Sequence, residues 1–334
     1  MKKILYLAIF ISHVASCKQT NEKITIGILF DSYSNARFQK EKVYLEEKIA
    51  ELGGNSIIMS AGGNEAVQEQ QAREMLQQGV DILIIISTNV NKAAAMVRLA
   101  HANNVKVIAY DRLIKNCDLD YYISFDGNKV GELLAEYAVE KVPEGNYVLM
   151  NGDKSDDNAI IFYEGTKKVI QPLIDNGKIN IVYDVFIEDW SSLESKFEMN
   201  KVLELSSTKI DVVISQYDGL SEGVIEALKE KGLEKKVLVT GQDAEVDACQ
   251  RIMKGTQNMT IYKPVKKMAY KCIELAFDII KSGKIKSEQT IHNGRSEVPT
   301  YLLDPVLVDK TNIRTTVVDD GFLTIEEIMN KVDK

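Results

Sequence analysis

Histidine is nearly missing from this chain, and with it the constellations that would use it. Three histidines occur in 334 residues. His13 falls in the amino-terminal apolar stretch, His101 in a helix-like pattern and His292 near the carboxyl end, none beside a nucleophile signature. Cysteine is scarce too, with four in all. No pair has zinc-ligand spacing, and setting Cys17 aside leaves Cys117, Cys249 and Cys272, an odd number that cannot form a complete disulfide set. The first strand is not followed by GxGxxG, and no Walker loop occurs, so nucleotide cofactors have no motif. The acidic run Asp153 to Asp157 lacks the glycine and distal glutamate of a calcium loop. The expectation is a protein without cofactor, metal or catalysis.

Long apolar runs are missing as well. The longest candidate near the start, Ile4 to Ile11, is too short to span a bilayer. It follows Lys2 and Lys3 and precedes Val14-Ala15-Ser16-Cys17, the layout of a signal peptide over residues 1–16. Val-Ala-Ser-Cys also resembles a lipobox, making Cys17 the expected acylation site, with residues 17–23 as a polar tether. Cleavage there leaves 39 Lys and Arg against 49 Asp and Glu, a balance of −10 that argues against nucleic acid.

The remaining chain alternates between strands and helices. Ile24 to Phe30, Ser56 to Ser60, Asp81 to Ser87 and Val105 to Tyr110 read as strands separated by amphipathic helices. Tyr121 to Phe125 follows, and a helix begins at once after Asp126. A second series has strands at Tyr147–Met150, Ile179–Val185, Asp211–Ser215 and Val237–Thr240. This is an α/β chain forming two doubly wound parallel-sheet lobes. Met259 to Tyr262 leads through Lys263-Pro264 into a long amphipathic helix, and the tail holds β-like runs such as Thr315 to Val318 before a polar helix. No glycine-serine linker separates the two series. Hinge strands and a clamshell cleft are expected.

Open α/β sheets bind ligands just beyond the carboxyl ends of their strands. Those positions hold Arg37, Asp111 and Arg112 in the first series. In the second they hold Asp156, Asp157, Asn158, Asp218 and Gln242-Asp243, with Lys263 after the returning strand. Phe38, Trp190 and Tyr217 lie among them. Planar donors and acceptors beside aromatic rings suit a sugar, whose hydroxyls pair while its C–H faces stack. Blander roles compete: Asp156 to Asn158 and Asp243 to Glu245 can cap helices, Phe38 and Trp190 can be core, and Asp111-Arg112 can be a surface pair.

Together, ITIGILFDSYSNARFQKE, VKVIAYDRLI, YYISFDGNKVGEL, NYVLMNGDKSDDNA, VLVTGQDAEV, GTQNMTIYKPV and the tail NGRSEVPTYLLDPVLVDKTNI are similar to the periplasmic sugar-binding proteins of the type I clamshell class, and within it to the binders of D-xylose. The resemblance implies that fold, with lobes at 24–125 plus 263–299 and 126–262 plus 300–334. Crossings would lie near Ser124–Gly127, Tyr262–Lys263 and Val298–Leu302. It implies polar contacts to one monosaccharide from Arg37, Asp111, Arg112, Asn158, Asp218, Asp243 and Lys263, and stacking from Phe38 and Trp190. Phe38 departs from the tryptophan typical there, and Tyr217 from an expected asparagine. The implied ligand is D-xylose, or another pentose such as ribose or arabinose. The implied partner of the monomer is an ABC-type sugar permease in the membrane, or a sensor histidine kinase.

Overall fold

The first part of the chain repeats one unit: a strand, buried except at the sheet edge, a turn, and a helix that returns across the sheet. In the computed structural model, which describes residues 23–34, 36–205, 208–283, 287 and 289–330, these units are β1 (Thr25–Phe30), α1 (Ala36–Glu51), β2 (Asn55–Ser60), α2 (Glu65–Gln77), β3 (Ile82–Ile85), α3 (Ala94–Ala102), β4 (Lys106–Tyr110) and β5 (Tyr121–Phe125). The expected signal peptide, Cys17 and nearly all of the tether lie outside the described residues.

Strand β3, ILII, has no exposed residue because helices cover both faces of a parallel sheet. Helix α2 starts where Asn64 accepts from the backbone of Ala66 and Val67, satisfying donors that the first turn leaves over.

The second half continues with α4 (Gly127–Lys141), β6 (Gly145–Asn151), α5 (Asp157–Asp175), β7 (Ile179–Phe186), α6 (Ser192–Leu205), β8 (Val212–Ser215), α7 (Asp218–Glu230), β9 (Leu238–Val239) and α8 (Val246–Lys254). Then come β10 (Met259–Tyr262), α9 (Val265–Ser282), β11 (Gln289–His292), β12 (Glu297–Leu303), β13 (Val306–Asp309) and α10 (Ile325–Met329). The first sheet has the order β11-β12-β5-β4-β3-β1-β2 and the second β7-β6-β8-β9; β10 and β13 form an antiparallel pair. Among the described residues, only the β11–β12 edge of the first sheet is antiparallel.

Helices α4 and α5 pack unusually close. A Cβ on Gly131 would sit 2.0 Å from the Phe162 carbonyl oxygen, and one on Gly165 2.2 Å from that of Asn128. These glycines admit backbone where any side chain would collide.

The chain passes between the lobes after β5, after β10 and between β12 and β13. The third passage differs from the expected Val298–Leu302. Thr300 to Leu303 pair in register with Tyr122 to Phe125, so the first sheet keeps β12 to its end and the change comes at Asp304-Pro305. The Thr315–Val318 run is no strand: Arg314–Val318 is a π-helical turn. Its β-branched residues serve packing instead. Ile313, Val317, Phe322, Leu323 and Ile328 join the core formed by α1, α9 and the inner face of the first sheet. The tail from Ile313 onward therefore does not belong to the second lobe alone, contrary to the assignment of 300–334. Helix α10 also packs on α8 through Gln250, whose Nε2 donates to the Glu327 carbonyl at 2.7 Å.

Candidate functional site

A cleft of about 760 Å³ lies between the two sheets, at the carboxyl ends of β1, β3, β4, β6, β8 and β10. That size suits a small molecule. Its lining includes Arg37, Phe38, Asp111, Arg112, Asn158, Trp190, Tyr217, Asp243 and Lys263. Of the ten ligand-binding candidates, Asp218 alone is not in it.

Backbone strain concentrates here. Asp111, Asp189, Trp190, Asp243 and Ala244 take φ of 67°, 52°, 53°, 95° and 51°, the left-handed region that side chains avoid. Asp111, Asp189, Trp190 and Asp243 line the cleft from these strained turns, while Ala244 packs into the core.

Asp111 is the hub of the first lobe. Its Oδ1 lies 2.9 Å from Arg37 Nη2. Its carbonyl accepts from Ser124 Oγ at 2.8 Å, Tyr122 Oη at 3.2 Å and, from the second lobe, Asn158 Nδ2 at 3.2 Å. Burial opposes ionisation of Asp111, yet Arg37, then Lys263 and Arg112, hold its carboxyl down at about 2. Arg37 also faces Glu41 Oε1 at 3.2 Å and Asp243 Oδ1 at 3.8 Å. Glu41 sits one helical turn behind, wholly buried, and burial lifts it to about 8 with Arg37 pulling the other way. Lys263 Nζ reaches Asp243 Oδ1 at 3.2 Å.

Arg112 is more constrained than a strand-end reading suggests. Nη1 donates to Asp31 Oδ2 at 2.8 Å and the Ser87 carbonyl at 3.0 Å, while Nε meets Asp156 Oδ2 at 2.9 Å. Asp156 is also the N-cap of α5, accepting from Asn158 N. Asp157 pairs with Lys115 and does not line the cleft.

The aromatic wall comes from the second lobe. Trp190 lies flat on Gly152, where a Cβ would be 2.1 Å from Cη2. Tyr217 stands edge-on to it, ring centres 6.0 Å apart at 89°. Phe38 completes the opposite side, with 3% exposure and an edge contact to Phe30 at 6.0 Å. It serves both core and cleft.

Asp218 is the correction. Its carboxylate turns inward and accepts from Gln257 Nε2 at 2.7 Å, Thr260 Oγ1 at 2.9 Å and Glu245 N at 3.0 Å. Burial, reinforced by Glu245, raises it to about 8. It braces α7 against β10 and does not line the cleft.

Asp31, Phe162 and Glu245 line the cleft without having been singled out for it. Asp31 had a signal, since it is the residue directly after β1. The sequence offers Glu245 as a helix cap, but its side chain makes no capping bond to α8.

Eight carboxylates and three cations line the space, so an anionic ligand is disfavoured. Asp31 Oδ1, Thr88 Oγ1 and Gln242 Oε1, all in the lining, are buried without a hydrogen-bond partner among the described residues. Such groups cost free energy unless a polar ligand or water satisfies them. The arrangement suits a neutral polyol gripped by charged pairs and flanked by rings. No group of carboxylate, histidine or cysteine side chains among the described residues could hold a metal.

Comparison with known proteins agrees. Residues 26–285 match the periplasmic binding protein domain. The chain is 40% identical over 315 residues to the D-xylose-binding periplasmic protein of Haemophilus influenzae, covering 94% of this chain and 95% of that one. It is 40% identical over 301 residues to the Escherichia coli protein of the same name, covering 90% and 91%. An ABC transporter solute-binding protein from Clostridium phytofermentans with bound β-D-glucose superposes with a TM-score of 0.85 at 27% identity, covering 91% of this chain and 99% of that one. The chain belongs to the periplasmic sugar-binding proteins of the type I fold, a family of binding proteins rather than enzymes.

Proposed function

We propose that this protein is exported to the periplasm or cell envelope, held there by acylation of Cys17, and binds one D-xylose for delivery to an ABC-type permease. The single observation that carries the sugar reading is the cleft's double grip, Arg37–Asp111 beside Arg112, facing a wall of Trp190 and Tyr217. Adjacent hydroxyls take a guanidinium donor and a carboxylate acceptor together, and ring C–H faces take the aromatic side. The choice of D-xylose rests on the names of the two relatives at 40% identity. Arg37, Phe38, Asp111, Arg112, Asn158, Trp190, Tyr217, Asp243 and Lys263 are the contacts in this reading.

The protein does no chemistry on the sugar. Arg112, Asn158 and Arg37 already reach across the cleft, so a bridging ligand has only to add differential contacts to the closed arrangement. A monomer suffices, because one chain supplies every contact.

Thermal-shift measurements on the mature protein with D-xylose, D-ribose, L-arabinose, D-glucose and D-galactose test this. A ligand at 100 times its Kd adds about 2.7 kcal/mol. D-xylose is expected to stabilise far more than either hexose, whose hydroxymethyl needs room and a partner. Equal shifts for D-glucose and D-xylose would defeat the assignment.

A further inference from the structure

Glu245 occupies the N-cap position of α8, where a short side chain such as Asp, Asn or Ser would accept from the helix's first amides. It does not do so. Two consecutive left-handed residues, Asp243 and Ala244, turn the chain so that both Asp243 and Glu245 face the cleft. The Glu245 side chain crosses to α7 instead, and its Oε1 accepts from Tyr217 Oη at 2.7 Å.

Tyr217 is itself pinned. Its ring lies on Gly219, where a Cβ would be 2.4 Å from Cε1, and its edge meets Trp190. Glu245 is held at its other end too, since its backbone N–H donates to the inward-turned Asp218 at 3.0 Å. Glu245 is thus a carboxylate fixed at backbone and tip in the wall of the cleft.

We infer that Glu245 is a ligand-contacting residue of the sugar site, aimed by Tyr217, and that this pair selects among monosaccharides by demanding a hydroxyl donor at its position. The inference rests on the sugar-binding reading above. An ionised carboxylate only accepts, and the Tyr217 proton is already given to it, so this stretch of wall offers acceptors alone. It takes a free hydroxyl and rejects a deoxy carbon or an ether oxygen there. Donors stand on the opposite side, at Arg37 and Arg112. Burial raises the Glu245 carboxyl, and the bond from Tyr217 counters that rise, so losing the tyrosine hydroxyl weakens the acceptor as well as loosening it.

Calorimetric titration decides the matter. The tightest binder among D-xylose, D-ribose, L-arabinose, D-glucose and D-galactose is titrated with its monodeoxy analogues into wild type, Glu245→Ala, Glu245→Gln, Tyr217→Phe and Arg112→Ala. Glu245→Ala is expected to weaken the parent sugar at least tenfold, yet match wild type within twofold for one deoxy analogue, the one missing the accepted hydroxyl. Tyr217→Phe should give a smaller loss confined to the same hydroxyl. Glu245→Gln, with ligand-free melting at the wild-type temperature, separates contact from folding.

Parent-sugar affinity within twofold of wild type in Glu245→Ala, or an equal loss for every analogue, overturns the inference. Arg112→Ala losing affinity in that same experiment leaves the sugar-binding reading intact. A wild-type protein that binds none of the five sugars overturns that reading, and this inference with it.

Discussion

Arg112 and Asp156 meet at 2.9 Å across the cleft, one from the loop after β4 and the other from the N-cap of α5. The pair ties the two lobes together at the same place where a ligand would be gripped. Asp31 holds the other edge of the guanidinium at 2.8 Å, so Arg112 arrives at the cleft already oriented. In the proposed reading, closure and recognition share one side chain. Side-chain ordering, usually a cost of binding, is largely met before the sugar arrives.

Glu41 gives the protein a pH signature. Its carboxyl stands near 8 in the fold against an ordinary 4.5, and Asp218 behaves alike from 3.8. Each is protonated when folded and ionised when unfolded between those values, so stability falls as pH rises from about 5 to about 8. Asp111, held at about 2, acts oppositely and costs stability only as pH falls below 3.8. Glu41→Gln should remove one proton's worth of slope, about 1.4 kcal/mol per pH unit, between pH 5 and 8. Urea unfolding across that range checks it; an unchanged slope means Glu41 is ionised in the fold.

Gly131→Ala is expected to destabilise the second lobe by about 3 kcal/mol or more, because its Cβ would lie 2.0 Å from the Phe162 carbonyl oxygen. Helices α4 and α5 would have to part along their length. A urea midpoint equal to wild type, with unchanged m-value, would show that the contact relaxes freely.

Cys17→Ala should release the protein from membranes or block its processing. Membrane association equal to wild type in the mutant would remove the anchor from the account.

Much of the fold was legible because buried parallel strands are short unbroken apolar runs, and β3 and β4 could be nothing else. The crossing after β12 was misplaced because nothing in EVPTYLL marks which sheet it joins; pairing with β5 is a tertiary decision. The Thr315–Val318 run misled for a related reason, since β-branched residues serve a packed helical turn as well as a strand.

At the site, strand-end positions located the cleft but not the direction of each side chain. Asp218 and Asp243 follow similar strands, yet one turns inward to Gln257 and Thr260 and the other outward to Lys263. That choice depends on backbone angles such as the φ of 95° at Asp243, which carries no glycine to announce it. Glu245 meets Tyr217, a partner distant in sequence, and no local pattern announces that bond.

Arg112 is the residue on which the sugar reading of the cleft stands or falls. Calorimetric titration of D-xylose into wild type, Arg112→Ala and Arg112→Lys, with ligand-free melting curves, measures its part in recognition. Charge-assisted bonds in such a site are worth about 1.5–3 kcal/mol each. Both variants are expected to lose roughly ten- to a hundredfold in affinity or more, lysine nearly as much as alanine because an ammonium lacks the planar fork. Ligand-free melting should fall modestly, since Asp31 and Asp156 lose their partner but can take up water as the lobes part. Wild-type affinity in either variant, or a ligand-free fold already collapsed, would mean that Arg112 only fastens the lobes and that the sugar is held elsewhere.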